Sequence, residues 1–373
     1  MQNNTNTKAP VMSSNALSIG RTKTPLMSST AVVIGRWQIF HKGHETLLKA
    51  ALSTAEHVIV VIGSAFRSRN PNNPFNWEER KAMIESTLTE SEKARVTFKP
   101  VRDYFDDVKW AGAVTAEVKQ CNRGHGVTTL ISFKKDDSGY YQDNFPEWAK
   151  LTVTQEHAIN ATALRDVYFE GEDPDARLAV LAPYVNKGVL NYLQAWARLP
   201  LYAERVAEHK AVKDYRAKWG QGPFLTADAV VTVTVKNVLY VLLVQRKGEG
   251  LDCGAGLWGV PGGFLDRGER HYDAALRELW EETGLKLLPS TMLHALKSVQ
   301  MFDHPGRSAR ARLITQVHHF SLGHQAALPE VHASSEVLAA DWAAVPELGR
   351  FVGNMLDDHD VVLDHFVGFF PAN

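Results

Sequence analysis

The run from Gly263 to Leu285 constrains this chain most, because it sets Glu278, Glu281 and Glu282 at i, i+3 and i+4 of a helical pattern. On a helix those three carboxylates fall within an arc of about 100°. Leu276, Leu279, Trp280 and Thr283 take the other side and are expected to anchor the helix in a core. Like charges held so close repel, and a hard divalent cation relieves the repulsion. Oxygen-only ligands with open water positions suit Mg²⁺ or Mn²⁺ carrying a substrate diphosphate. Arg277 stands beside the acidic residues and can orient one of them. An isolated Glu-x-x-Glu-Glu is ordinarily a solvated helix face, so residues outside it must decide.

They do. The full spacing is Gly-x5-Glu-x7-Arg-Glu-aliphatic-x-Glu-Glu-x-Gly-aliphatic, carried by Gly263, Glu269, Arg277, Glu278, Leu279, Glu281, Glu282, Gly284 and Leu285. At ~7% per residue type, seven fixed positions coincide by chance less than about once in a million. The segment resembles the Nudix box at every fixed position. That resemblance implies a Nudix α/β/α sandwich hydrolysing a nucleoside diphosphate linked to another moiety. It implies Glu278 and Glu282 as metal ligands and Glu281 as a ligand or as the base activating water. Glu269 would pair with Arg277 or join the metal shell. Trp258-Gly-Val-Pro-Gly-Gly-Phe264 and the stretch from Met301 to Arg312 resemble the ADP-ribose-directed branch, and more narrowly the Nudix half of bifunctional nicotinamide mononucleotide (NMN) adenylyltransferase/Nudix proteins. Arg246, Gly262, Gly263, Arg307 and Arg310 are then expected to contact ADP-ribose, since guanidinium offers paired donors to phosphate. For each single arginine a surface ion pair is an equal alternative.

Upstream, Ala31-Val-Val-Ile34, His57–Gly63, Val96–Phe98 and Thr128–Ser132 read as strands, with helical patterns at Glu45–Ser53, near 77–90 and near 110–120. The alternation predicts a parallel α/β sheet, whose ligands collect at the carboxyl ends of the strands. The loop Gly35 to Gly43 sits at such an end. His41 and His44 flank Gly43 at the mouth of a helix, where free N–H groups and the helix dipole attract an anion. By composition a His-x-Gly-His string arises in about one random chain in twenty-five, so alone it is moderate evidence.

Gly35-Arg-Trp-Gln-Ile-Phe-His-Lys-Gly-His44 resembles the first motif of the nucleotidyltransferase family, Gly-x-Phe-x-Pro-x-His-x-Gly-His. Trp37 and Ile39 depart from it. Ile159-Asn-Ala-Thr-Ala-Leu-Arg165 resembles that family's second motif, with Asn160 in a serine's place. The resemblance implies a Rossmann-like domain in which Gly35, Arg36, Gln38, Gly43, Thr162 and Arg165 bind the nucleotide. Arg165 would clamp the triphosphate, and Asn160 or Thr162 would cap the helix start. Asn73–Arg80 and Lys135–Trp148 resemble the archaeal-type NMN adenylyltransferases, which nominates Phe75, Trp77 and Trp110 to stack on the pyridinium ring. A tryptophan at a helix start is ordinarily core, so each has a competing structural role. The implied reaction is in-line attack of NMN on the α-phosphorus of ATP, helped by His41, His44, Arg165 and Mg²⁺.

The chain has 373 residues, enough for two domains, and its 41 basic against 42 acidic side chains give no field to draw nucleic acid or an anionic membrane. Cys121 and Cys253 offer no disulfide framework and no metal-ligand spacing, and no apolar run approaches ~18 residues. A cytoplasmic enzyme is expected, with homo-oligomerisation the general prior. The acid-free, Ser-rich residues 1–29 read as a disordered tail, with a transit peptide as the alternative. The expected organisation is a nucleotidyltransferase domain at 30–200, a linker at 201–223 and a Nudix domain at 224–373. Together they would make NAD from NMN and ATP and hydrolyse ADP-ribose, with Mg²⁺ or Mn²⁺ in both domains. Two alternatives stay open: a Nudix domain that senses ADP-ribose without cleaving it, and a first domain acting on another phosphate acceptor.

Overall fold

The computed structural model describes residues 28–121, 126–133, 140–154, 159–171, 173–248 and 254–370. Most of the expected tail, the start of the Lys135 segment and Cys253 lie outside them. Two residues of that expected tail, Ser28 and Ser29, already belong to the first strand.

The first half runs β1 (Ser28–Gly35), α1 (Lys42–Thr54), β2 (Ala55–Ile62), α2 (Trp77–Glu85), α3 (Glu90–Lys93), β3 (Val96–Pro100), α4 (Asp107–Cys121), β4 (Thr128–Phe133) and β5 (Ala149–Val153). All five strands pair in parallel, in the order β3-β2-β1-β4-β5. Strands β1 and β2 read as continuous apolar runs because both their faces are covered. Ala31, Val33, Val58, Val60 and Ile62 pack under α1 on one face, while Val32, Ile59 and Val61 pack against Val114 and Val118 of α4 on the other. The edge strand β5 was not legible as a strand: its residues are mostly exposed and lack an apolar run. Because β1 lies between β2 and β4, winding reverses there, and that reversal opens a crevice at the strand ends.

Four helices follow, α5 (Ala161–Tyr168), α6 (Pro174–Leu181), α7 (Lys187–Trp196) and α8 (Pro200–Trp219). The segment expected to be a linker is thus mostly one 20-residue helix. Tyr202 at its start donates to Tyr168 O at 2.8 Å, and Arg216 near its end donates to Ala309 O at 2.7 Å and Arg310 O at 2.9 Å. Each end of α8 is fixed to a different half of the molecule.

The second half contains β6 (Phe224–Val235), β7 (Val238–Arg246), β8 (Trp258–Gly259), β9 (Gly262–Phe264), α9 (His271–Thr283), α10 (Pro289–Ala295), β10 (Leu296–Phe302), β11 (Leu313–Gln325), β12 (Val337–Ala344) and α11 (His359–Phe366). Its mixed sheet runs β10-β11-β6-β7-β12, with β8 on β7 and β9 on β6. Lys236 and Asn237, which interrupt the apolar run, make the β6–β7 turn with φ of 49° and 63°. A two-residue hairpin of that hand needs positive φ at both positions. Alternation along β6 feeds two cores. Ala227, Ala229, Val231 and Val233 meet Ala274, Ala275 and Leu279 of α9, while Val230 faces Val362 and Leu363 of α11. No helix among the described residues is long and apolar enough to cross a membrane.

One expectation fails on α9. Trp280 does not anchor the helix: it is 47% exposed and lies under the Lys286 ammonium at 4.3 Å. At 100° per residue it sits 200° from both Glu278 and Glu282, and those two residues are the ones turned inward. Ala274, Ala275, Leu279 and Thr283 do the anchoring.

Candidate functional site

The loop between β1 and α1 is anchored by its own aromatics, Trp37 and Phe40, which are buried in the core. Trp37 has φ of 57°, in the left-handed region, and its indole N–H donates to Val61 O at 2.9 Å. Its ring meets His44 edge-on at 4.9 Å. His41 caps α1, its Nδ1 accepting from the His44 N–H at 3.4 Å, and the two imidazoles stack at 3.6 Å. A Cβ at Gly43 would stand 3.1 Å from the His41 ring, so a glycine there lets the rings close. One at Gly35 would stand 3.0 Å from Trp37.

Arg165 reaches this loop from α5, whose start Asn160 caps by accepting from the Thr162 N–H at 2.8 Å. Its guanidinium donates to Gln38 O and, at 3.0 Å, to Thr162 Oγ1. Burial first, and then repulsion from Arg36, lowers the Arg165 pKa to about 10. The group stays charged at neutral pH, and two guanidinium groups lie close enough to repel, an environment suited to polyphosphate.

Gln38 departs from its expected role. Its amide is spent on the backbone of Phe75, donating to Phe75 O at 2.9 Å and accepting from Phe75 N–H at 3.1 Å. That clamp turns Phe75 inward, where it is 1% exposed and packs on Trp196 at 4.8 Å, so it is not a stacking face. Trp77, at the start of α2, packs against the same core. Of the three aromatic candidates only Trp110 lines the cleft at the ends of β1 to β3, a space of about 550 Å³ that Gly35 and Arg36 also wall. His41, His44 and Arg165 do not line it.

The sequence reading missed Arg80. It is buried, donates to Arg36 O at 2.8 Å, Gly63 O at 2.7 Å and Ser64 O at 3.2 Å, and so ties the ends of β1 and β2 together. Burial lowers its pKa to about 10.

The second site forms where α9 meets β9. Glu278 and Glu282 point into a cleft of about 680 Å³ that Gly262, Gly263, Arg246, Arg277, Arg307 and Arg310 also line. The Gly262 N–H donates to Glu282 at 3.0 Å. Burial raises Glu282 to about 8, reinforced by Glu278, and burial raises Glu278 despite Arg277 beside it. Arg277 is the hub of the acidic cluster, donating to both oxygens of Glu269 at 2.9 Å, to Glu278 at 2.8 Å and to Glu281 at 2.9 Å. Of the two roles left open for Glu269, pairing with the helix arginine is the one observed. That bond, first among its causes, lowers the Glu269 pKa.

Among the described residues no three His, Cys, Asp or Glu side chains are drawn together tightly enough to hold an ion. The donor chemistry nonetheless fits a hard cation. Burial disfavours the charged forms of both carboxylates, and a divalent ion would supply the compensating charge.

Arg307 and Arg310 are not surface ion pairs. Arg307 grips Asp358 through two buried bonds of 3.0 and 2.8 Å, and Arg310 meets the half-buried Asp357 at 3.1 Å. The same cleft is lined by Asp228 and His359, which no motif marked. Asp228 accepts from Thr315 at 2.6 Å, and His359 Nδ1 accepts from the Val260 N–H at 3.0 Å. The available signals were an aspartate inside the apolar run of β6 and the Asp-Asp-His-Asp string at 357–360.

Comparison with known proteins agrees with both geometries. The cytidylyltransferase-like family matches residues 32–118 and the NUDIX domain family matches residues 223–366. Over 176 residues the chain is 30% identical to the nicotinamide/nicotinic acid mononucleotide adenylyltransferase of Acinetobacter baylyi, covering 47% of this chain and 90% of that protein. Over 142 residues it is 33% identical to the nicotinamide-nucleotide adenylyltransferase of Methanosphaerula palustris, covering 38% of this chain and 80% of that one. A crystal structure of a bifunctional NMN adenylyltransferase/ADP ribose pyrophosphatase from Francisella tularensis, complexed with AMP and a manganese ion, superposes with a TM-score of 0.80 at 30% identity, covering 91% of this chain and 99% of that one. With both halves matched in a single chain, this chain belongs to the bifunctional NMN adenylyltransferase/ADP-ribose pyrophosphatase family.

Proposed function

We infer that the chain is a two-site enzyme of NAD metabolism. The first half joins NMN to ATP, giving NAD and pyrophosphate. The second hydrolyses ADP-ribose to AMP and ribose 5-phosphate. The observation that carries this reading is the match along 91% of the chain to a protein with both activities in its name, together with an intact acidic helix at the second cleft.

In the first site the NMN phosphate attacks the α-phosphorus of ATP in line, and no covalent enzyme intermediate is needed. His41 and His44 stand at the amino end of α1, where developing phosphoryl charge is stabilised by N–H groups and imidazole donors. Arg36 and Arg165 add positive charge for the triphosphate, and Trp110 offers the ring face in the adjoining cleft.

In the second site Glu278 and Glu282 would hold Mg²⁺ or Mn²⁺, which when bound supplies charge neutralisation at the diphosphate. Arg246, Arg307 and Arg310 face the same space and orient the diphosphate or ribose. Glu281, bound by Arg277 at 2.9 Å, is the third carboxylate of the acidic face and would take the proton of water. Gly220 to Pro223, after α8, is where we divide the two catalytic units. A cytoplasmic location suits the free thiol of Cys121.

Product analysis of wild type and Glu282→Gln with Mg²⁺ tests both halves, with NMN plus ATP in one tube and ADP-ribose in another. Wild type should form NAD and release AMP from ADP-ribose, and the variant should lose only the second reaction. NAD formation with intact ADP-ribose in both proteins would turn the second half into a sensor or a hydrolase of another diphosphate.

A further inference from the structure

The cleft at the ends of β1 to β3 is not built from the first half alone. His304, Gly306 and Ala309, all from the loop between β10 and β11, line it together with Gly35, Arg36 and Trp110. His304 stacks on Phe105 at 4.3 Å and 26°. The Gly306 N–H donates to His304 Nδ1 at 3.0 Å. That bond commits Nδ1 as an acceptor, so the neutral ring carries its proton on Nε2.

The loop is fastened to the first half by Arg67, which also lines this cleft. Its guanidinium donates to Arg307 O at 3.2 Å and Asp357 O at 2.7 Å, pairs with Asp103 at 3.3 Å, and lies 5.2 Å from the centre of the Phe105 ring. Ser68 adds a bond to Met355 O at 2.5 Å. Arg307 and Arg310 of this loop line the other cleft, so one short loop walls both.

We propose that the mononucleotide cleft is a composite of the two halves, in which His304 of the second half binds NMN through its Nε2–H and its ring. This rests on the adenylyltransferase reading of the first half. It makes the second half a structural part of the first reaction, since His304 reaches the cleft that Trp110 lines only when the two halves are docked.

The test is steady-state NAD synthesis by the full-length His304→Ala and His304→Gln variants, with ADP-ribose hydrolysis measured on the same preparations. His304 is exposed on the rim and buries no core. The KM for NMN should rise roughly 10-fold in the alanine variant, the scale of one hydrogen bond with a ring contact. kcat, the KM for ATP and ADP-ribose hydrolysis should stay within about twofold. Glutamine, which keeps a donor, should recover part of the loss. An unchanged KM for NMN in the alanine variant overturns the proposal. If wild type makes no NAD from NMN and ATP, the adenylyltransferase reading fails instead. Calorimetric titration with NMN alone then decides: weaker binding to the alanine variant supports the composite cleft, and equal binding refutes it.

Discussion

The Glu278 carboxylate lies so close over Gly263 that a Cβ built on that glycine would stand 2.3 Å from Oε1. The glycine is therefore a packing requirement of the acidic helix. Gly263→Ala should push the Glu278 carboxylate aside, with little effect on stability because the far end of a flexible side chain is what moves, and lower ADP-ribose hydrolysis at least ~10-fold. NAD formation by the same protein should be unaffected. Undiminished hydrolysis would contradict the close approach.

His44 stacks on His41 at 3.6 Å where α1 begins. In its proposed role as a donor to the transferring phosphate, His44 is needed for turnover, so His44→Ala should cut NAD turnover at least ~100-fold. Rates at saturating NMN and ATP measure this. Near-normal synthesis by the folded variant would remove His44 from the reaction.

Arg307 and Asp358 form a buried bidentate pair whose side chains are 3% and 1% exposed. Asp358→Leu alone leaves a buried guanidinium uncompensated and should cost about 3–5 kcal/mol. The double variant Arg307→Met/Asp358→Leu should recover most of that. Melting temperatures of the wild type and both variants provide the check, and equal losses in the single and double variants would count against a charge-based explanation.

Acid should weaken the junction of α1 and α3. The Lys49 side-chain bond, followed by the Thr89 N–H, holds Glu92 down to about 2 from an ordinary 4.5. A depressed carboxylate stabilises the fold above its unfolded pKa, and that contribution is lost as pH falls from about 4.5 through 2. Glu92→Gln should therefore cost about 1 kcal/mol at pH 7, partly screened by salt, and almost nothing at pH 2. Unfolding curves at the two pH values would reveal the difference, and a cost that persists at pH 2 would discount the charge.

Local pattern made much of this molecule readable. The apolar runs at 31–34 and 57–63 are strands because buried parallel strands need apolar residues on both faces. The Nudix spacing is readable because a helix converts i, i+3 and i+4 directly into one face. Ring orientation is less local. Phe75 and Trp110 looked equally suited to stacking, yet Gln38 turns the first into the core and the second lines the cleft. Trp280 looked like an anchor beside Leu279 and proved exposed, because Glu278, given room by Gly263, and Glu282, bound by the Gly262 N–H, take the inward side.

The sequence by itself determined the two chemistries, since each rests on residues within one loop or one helix whose spacing translates into geometry without reference to the rest of the chain. Tertiary structure alone decided what surrounds them. Asp228, His359, Arg67 and His304 reach their clefts from segments tens to hundreds of residues away from the motifs. Their placement follows from sheet order and from the docking of two cores, long-range packing that no short window of sequence encodes.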